Sequence, residues 1–528
     1  MAFTLIQAGN SLKTINATGA LSAALTIPSG ITLSSNRVPR FARFKGYVCV
    51  VNTPSRPLIV SETGIVSPMT PNKPNTAVAL ADGGSGTLSG TYLALQTFVI
   101  KDNLGNVIAE SDYSPAMAAA VTVTTSPLAA TYDASVETDV ALIGTRLYRT
   151  VTLGSTYFPW IDDMTNGTTV TSDLSDASLS SVAAGDRGAA PDLTLIAEFG
   201  GRLWGVDRDD VDDLRYTEAG TSYAWSALNT LKIPHYGQDA AGITALIPRR
   251  NVLGVGRRDV LVGVTGSVRA NIRPDTVPGG EKVGVMSQES VVVFNDIAYF
   301  LSRDGVYVWD SSGVRCITNG KVRGWFTEGT VFNKAMFWRA FAQFDQEHLK
   351  YRLFLASADS DVIDRWIEYD ITTESWWGPH LTTAFNPTSS VIVAGSDQQE
   401  HAMIGTAEGF LSQQQDDRND WGIAPIAFRI QSNKLDLNMP EDEKFYGELS
   451  VMGKVQDAGV LTITPSVGEM DEMAATTAMS YDMTKSRQRL GRIGTGKAMQ
   501  LVMENSTIDQ DVVLRGYTID PVNLIGRR

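Results

Sequence analysis

The side chains best placed to do chemistry fall into four groups, and each group lacks a part its chemistry needs. Gly491-Arg492-Ile493-Gly494-Thr495-Gly496-Lys497-Ala498 has the spacing of a phosphate-binding loop, G-x-x-x-x-G-K. Such a loop works by aiming helical N–H groups at phosphate oxygens and placing a Ser or Thr hydroxyl on Mg²⁺. Ala498 stands where that hydroxyl belongs, and Met499-Gln500-Leu501-Val502-Met503 alternates like a strand, so a glycine-rich turn is expected. Gly254-Val255-Gly256-Arg257-Arg258-Asp259 lacks the third glycine of a dinucleotide fingerprint and also reads as a turn. The four histidines, His235, His348, His380 and His401, never take a metal-ligand spacing. Asp207-Arg208-Asp209-Asp210-Val211-Asp212-Asp213 is rich enough in carboxylates for Ca²⁺. Val211 breaks the alternation, and no glycine comes after it for the turn, so a solvated loop is expected.

Hydrolytic chemistry is equally thin. No G-x-S-x-G elbow occurs. Asp162 and Asp163 are adjacent, and neighbours on a strand point to opposite faces. Glycosidase carboxylates come from separate strands, so the order of residues leaves that chemistry open. Trp366, Trp376 and Trp377 would suit a sugar-stacking platform, although packing between sheets is the plainer use of such residues. No catalytic, cofactor-binding or metal residue is assigned, no cofactor is expected, and the chain reads as a non-enzyme.

The elements that would position these residues are strands. The chain has 528 residues, 43% hydrophobic and only 19% charged, with 47 Gly. Thr and Val suit a pleated surface and Gly supplies turn dihedrals, whereas 3.6-residue periodicity is scarce. The expected class is all-β, in roughly two to four domains. The net charge of −14, from 44 basic and 58 acidic residues, disfavours clinging to DNA or anionic lipid. It suits solubility, or a conduit wall past which DNA slides. Two distant cysteines, Cys49 and Cys316, make no disulfide framework, so synthesis in a reducing cytoplasm is expected. The N-terminus lacks the pattern of a secretory signal, and no apolar run approaches the ~20 residues that span a bilayer.

Along the chain, residues 1–35 read as an arm or edge strand. Residues 36–70 hold the first propeller strands, with Pro68, Pro71 and Pro74 as a stiff linker. Residues 75–165 read as an inserted fibronectin- or immunoglobulin-like sandwich without cysteine, carried by strands at 90–100, 119–125 and 141–152. Residues 166–190 read as a linker. From 191 to 423 a strand–turn–strand grammar recurs from Ile196, Ile243, Ser290, Phe337 and Ser389, at steps of 47, 47, 47 and 52 residues. Periods of about 40–50 residues with several short strands suggest propeller blades. Residues 424–528, with a long polar stretch at 469–485, read as a C-terminal β-sandwich or barrel.

Leu88-Ser89-Gly90-Thr91-Tyr92, Glu110-Ser111-Asp112-Tyr113-Ser114-Pro115 and Arg146-Leu147-Tyr148-Arg149-Thr150 resemble an inserted fibronectin-like domain of phage tail proteins. Ser290-Val291-Val292-Val293 and Ala298-Tyr299-Phe300-Leu301-Ser302-Arg303-Asp304-Gly305-Val306-Tyr307 are similar to a blade of the tail nozzle (tail tubular) proteins of short-tailed bacteriophages, the podoviruses. Leu514-Arg515-Gly516-Tyr517-Thr518-Ile519, with the final Gly526-Arg527-Arg528, resembles the close of such chains. The resemblance implies a structural virion protein of the tail, assembled in the host cytoplasm. It implies a hexameric ring joined to head-to-tail adaptor proteins and to tail fibres or spikes. The ring would retain genomic DNA and pass it without sequence-specific binding. The competing expectation is a glycan-binding or glycan-cleaving β-propeller adhesin.

Overall fold

A computed structural model describes residues 4–16, 20–34, 37–137, 140, 143–233, 242–382, 386–394, 400–413, 428–506 and 512–525. His235, the first residues of the strand expected at 141–152, residues 414–427 and the closing Gly526-Arg527-Arg528 lie outside them. The protein is all-β, built from many antiparallel sheets. The one α-helix among the described residues is the single turn Gly324–Thr327.

Six sheets succeed one another in the larger of two compact units. The first comprises Arg40–Phe44, Tyr47–Val51, Leu58–Val60 and Val66–Pro68. The second comprises Leu193–Phe199, Arg202–Asp207, Asp213–Tyr216 and Thr230–Lys232. The third runs through Ala245–Pro248, Leu253–Gly256, Leu261–Thr265 and Arg273–Thr276. The fourth runs through Val292–Phe294, Ile297–Ser302, Gly305–Asp310 and Gly313–Cys316. The fifth holds Phe341–Asp345, Lys350–Leu355, Arg365–Asp370 and Ser375–Leu381. Three described strands make the sixth: Pro387–Ala394, Glu400–Thr406 and Leu411–Gln413.

Within each sheet the strand order is the chain order, an antiparallel meander. Tight turns permit this. In the fourth sheet Asn295 and Asp296 both take positive φ, 49° and 63°, the geometry of a two-residue hairpin turn that Asn and Asp tolerate. Alternation then gives every sheet two apolar faces, and successive sheets share cores. Trp204 and Val206 meet Leu246 and Val255 between the second and third sheets. Ile247 and Leu261 meet Phe300 and Trp309 between the third and fourth. Tyr299 and Val308 meet Tyr351 and Ile367 between the fourth and fifth. Each fully buried aromatic or aliphatic side chain contributes about 1.5–3 kcal/mol by leaving water.

The N-terminal segment is a hairpin, Thr4–Ala8 with Ser11–Ile15. Leu5 and Leu12 pack with Val50, Leu58 and Val60 of the first sheet, while Ile15 packs with Val393 and Met403 of the sixth. The hairpin therefore bridges the first and last sheets of the series.

Between the first and second sheets the chain makes a further β-region within the same compact unit. Its sheets pair Val107–Glu110, Ala94–Lys101, Ile143–Thr150 and Tyr157–Asp163, then Val121–Val123 with Gly90–Tyr92, then Thr169–Ser172, Leu128–Thr131 and Ala79–Asp82. Leu80, Tyr92, Leu128, Leu147 and Trp160 form its core.

Three stretches expected to be irregular carry strands. Val66–Pro68, the start of the expected Pro-rich linker, is the fourth strand of the first sheet, and Pro68 pairs with Leu58. It occupies an edge, where a residue without an N–H costs no ladder bond. Thr169–Ser172, inside the stretch read as a linker, pairs with Leu128–Thr131. Arg149 anchors the residues just after that strand: its guanidinium pairs with Asp176 at 2.6 Å and donates to the Leu174 carbonyl at 2.5 Å. Met473–Ala475 and Met479–Asp482, within the polar stretch at 469–485, both pair with Val460–Gly468.

The second unit is a two-sheet sandwich. One sheet contains Phe428–Gln431, Ala498–Asn505 and Val460–Gly468 with its two short partners. The other contains Arg487–Gly496, Lys444–Gly453 and Leu514–Leu524. Tyr446, Leu449, Leu461, Ile463, Met499 and Leu501 fill the space between them.

Candidate functional site

Two polar clusters stand out in the larger unit. The first is the short turn Gln288–Ser290, which leads into the first strand of the fourth sheet. The Gln288 side chain accepts from Leu246 N at 2.6 Å and donates to Leu246 O at 3.1 Å, so it pairs with the third sheet as another strand residue would. Ser290 Oγ accepts from Leu301 N at 3.2 Å in the fourth sheet, and Tyr351 of the fifth sheet donates to the Ser290 carbonyl at 2.8 Å. Glu289 forms an ion pair with Arg40, the first residue of the first sheet. One turn thus ties four sheets together.

That ion pair is weakly hydrated. The two side chains keep 17% and 31% of their surface. Burial raises the Glu289 carboxyl above its ordinary range against the pull of Arg40, and burial lowers the Arg40 guanidinium against the pull of Glu289. Desolvation therefore exceeds the attraction for both partners, a common outcome for buried pairs.

The second cluster fastens the inserted domain. Glu110 is buried at the end of a strand, where Thr97 Oγ1 donates to it at 2.7 Å and the Tyr148 hydroxyl also donates. Arg146 and Arg187 reach its other oxygen at 3.3 and 2.9 Å. Burial and the adjoining carboxylate raise the Tyr148 phenol. Arg187 lies beyond the inserted domain. Its guanidinium donates to the hydroxyls of Tyr113 at 3.1 Å and Tyr148 at 2.9 Å and packs on the Tyr223 ring at 5.6 Å. Neighbouring bonds complete the latch. Ser222 donates to the Ile108 carbonyl at 2.9 Å, and Tyr47 of the first sheet donates to Asp102 at 2.7 Å. Gly188 passes so close to Trp225 that a Cβ would sit 2.3 Å from its carbonyl oxygen.

The residues that the sequence singles out are dispersed through the fold. The glycine-rich segment at 491–498 ends strand Arg487–Gly496 of one sheet and, through Lys497, crosses to strand Ala498–Asn505 of the other, and Lys497 pairs with Glu469 at 3.1 Å. Residues 254–259, expected as a turn, are strand up to Gly256, where Gly254 pairs with Gly263 and Val255 with Val262, and only the residues from Arg257 on turn toward the third strand. In the acidic loop Asp210 pairs with Lys232 at 2.7 Å and Asp212 with the buried Arg257 at 2.7 Å. Asp162 and Asp163 face opposite ways. Burial pushes the Asp162 carboxyl up, but Arg146 and Lys101 outweigh it and bring it down to about 2, while Asp163 accepts from Tyr132 at 2.6 Å.

Among the described residues, features suited to a sugar meet around Trp366. Trp366 stacks on His380 with ring centres 4.3 Å apart, and Trp377 on the same strand as His380 is 48% exposed. Trp376 instead points into the fifth sheet's core side, donating to the Ile317 carbonyl at 3.1 Å. Arg352 bridges Asp345 and Glu368, 2.9 Å from each. Burial raises the Asp345 carboxyl, yet His348 and Arg352 bring it below its usual range. Burial lowers the His380 imidazole.

The latch escapes sequence reading because its members come from distant segments. One signal was available: Arg146 and Tyr148 are two apart on a strand, hence on one face, in a position that suits a shared carboxylate.

No family model matches the chain, and no curated protein matches it. Among solved structures, it is similar to exo-β-1,3-galactanase from Phanerochaete chrysosporium, at 8% identity over 65% of this chain and 96% of that one, with a TM-score of 0.22. It is similar to Hsv2 from Kluyvelomyces marxianus at 9% identity, over 56% and 73% of the two chains, with a TM-score of 0.21. PorZ of the Porphyromonas gingivalis type-IX secretion system is matched at 8% identity over 76% and 57%, with a TM-score of 0.26. At these identities and scores the likenesses carry no argument about what this chain does.

Proposed function

We propose that this chain is a structural subunit of a ring-shaped tail nozzle in a short-tailed bacteriophage, retaining packaged DNA and conducting it into the host. One observation carries the reading. The segments that resemble nozzle proteins are those that hold the fasteners: Glu110, Tyr113, Arg146 and Tyr148 in the latch, and Ser290 in the four-sheet turn. On this reading the six sheets are blades around one axis. The ion pair from first to fourth sheet would then cross the middle of the ring, and the N-terminal hairpin would close it between the sixth and first. A centre crossed in that way leaves the DNA channel to the space between subunits. The net charge of −14 suits a wall that DNA slides past.

The test is native mass spectrometry with averaged electron images. Six copies of the 57.0 kDa chain around an axial hole support the nozzle. Trimers would count against it.

The exposed Trp377 beside the Trp366–His380 stack favours glycan binding as a second reading. Cleavage is less well served there. A glycosidase needs a carboxyl held protonated at working pH, and Arg352 holds Asp345 and Glu368 together while the Asp345 carboxyl is lowered. Binding of the purified chain to host surface polysaccharide, lost in Trp377→Ala, would bring this reading forward.

A further inference from the structure

We infer that the C-terminal sandwich docks head to tail on a second copy of itself, through two opposite ends of unlike charge. The inference rests on the ring reading only for the closure of the array; the contact is argued from the sandwich alone.

Strand register defines the two ends. Lys444 pairs with Gly496 and with Leu524, so these three residues mark one end of the sheet. Met452 pairs with Arg487 and Gly516, which marks the other. At the first end lie Glu441, Glu443, Glu469, Asp471 and Glu472, all exposed. Two cations engage this group: Lys497 pairs with Glu441 and Glu469, and the exposed Lys434 donates to the Met470 carbonyl between Glu469 and Asp471. The Lys444 ammonium is instead buried, donating to the carbonyls of Met439, Asp442 and Lys497. At the second end lie Lys454, Lys485, Arg487, Arg489 and Arg515, also exposed, against the exposed Asp457 and with Asp482 paired to Lys485 and Glu448 to Arg489. Residues 507–511 and 526–528 lie outside the described residues and enter neither group.

Each end also carries uncovered apolar side chains. Leu437, Met470, Leu524 and Ile525 stand among the carboxylates, with Leu524 57% exposed. Val455, Val460 and Val513 stand among the cations. An apolar centre rimmed by charge is the anatomy of a protein interface, and unlike rims on opposite ends fit another copy of the same end-to-end object. Such a contact is heterologous: repeated, it closes into a ring or runs on as a filament.

Two full-length variants test this by sedimentation velocity across a salt series. Glu441→Lys/Glu443→Lys/Glu469→Lys makes both ends basic, and Arg487→Glu/Arg489→Glu/Arg515→Glu makes both acidic. The substituted side chains are exposed, so circular dichroism should show folded chains. Self-association of the wild type should weaken with salt. Each variant alone should associate on the order of a hundredfold more weakly, because like charges then face each other. An equimolar mixture should recover assembly with the two variants alternating. Wild-type assembly that survives both reversals overturns the proposed seam and leaves the ring reading standing. A wild type that stays single at every salt, its basic end retaining duplex DNA instead, overturns the seam in favour of a nucleic-acid surface.

Discussion

Replacing Arg40 with Met would leave the Glu289 carboxylate in the four-sheet turn without its cation. Breaking a fully buried pair costs about 3–5 kcal/mol. Arg40 and Glu289 keep 17% and 31% of their side-chain surface, so water screens part of that loss, and a cost of about 2–3 kcal/mol is expected. Removing both charges in Arg40→Met/Glu289→Leu should return stability to within about 1 kcal/mol of wild type, since two desolvation penalties vanish with one attraction. The pH response comes from the raised carboxyl. A folded-state value above the unfolded one means that protonation favours the fold. This group's contribution is therefore full below the unfolded value and is lost as pH rises through the folded one. In Arg40→Met the opposing pull of the cation is gone, so the penalty should be large at pH 8 and shrink as the solution is acidified. Urea titrations at several pH values, read by hydrogen exchange of the peptide spanning 286–301, measure the cycle. Two single variants that each cost under about 0.5 kcal/mol and simply add would refute the coupling.

Further expectations come from the latch and from the cysteines. Arg187→Met should cost about 2–4 kcal/mol and open the 173–190 stretch to protease, because it leaves the buried Glu110 with one guanidinium in place of two. Unchanged cleavage kinetics would show the latch to be ornamental. Gly188→Ala should cost about 1–3 kcal/mol in thermal unfolding, since its Cβ must displace the Trp225 carbonyl. Asp162→Asn should remove an acid-range loss of stability. The carboxyl lowered to about 2 stabilises the fold above the unfolded carboxylate value and ceases to as pH falls through 2, which acid titration of both proteins would reveal. Native alkylation at pH 8 should label the half-buried Cys316 and spare Cys49, whose thiol burial pushes up to about 12. Equal labelling rates would contradict the packing around Cys49.

Much of the strand layout was legible because each segment obeys local rules. Ala298-Tyr299-Phe300-Leu301 and Gly305-Val306-Tyr307-Val308 read as a hairpin from alternation and an intervening turn, and they pair in that register. The repeat anchors fell within a few residues of the start of each sheet's first strand, two before Ala245 and two before Val292, because recurrence marks a unit but not its first residue. Ladder pairing overrode composition at Val66–Pro68 and at Thr169–Ser172, where a neighbouring strand supplied partners that Pro- or Ser-rich text does not advertise. The latch lay beyond reach for a different reason. Arg187 and Tyr113 are 74 positions apart, and no local pattern joins two such positions.

Charged fasteners suit the kind of array this is. A series of sheets in which each packs mainly on its neighbours gains stability pair by pair, and it can open at any one seam. Apolar burial is non-directional and permits two meanders to slide or splay. A bidentate amide against one backbone position, or a carboxylate between two guanidiniums, fixes register because it is satisfied in one arrangement only. The Gln288–Leu246 pairing does this between the third and fourth sheets, the Arg40–Glu289 pair between the first and fourth, and the Glu110 cluster between the inserted strands and the segment that leads into the second sheet. Their partners thereby commit these side chains to holding one register. On the nozzle reading that commitment is the function, since a subunit that must hold DNA under pressure has to resist displacement of one sheet past the next. Weakening the turn and the latch should then lower the load at which the assembled particle leaks DNA, while leaving assembly through the C-terminal sandwich intact.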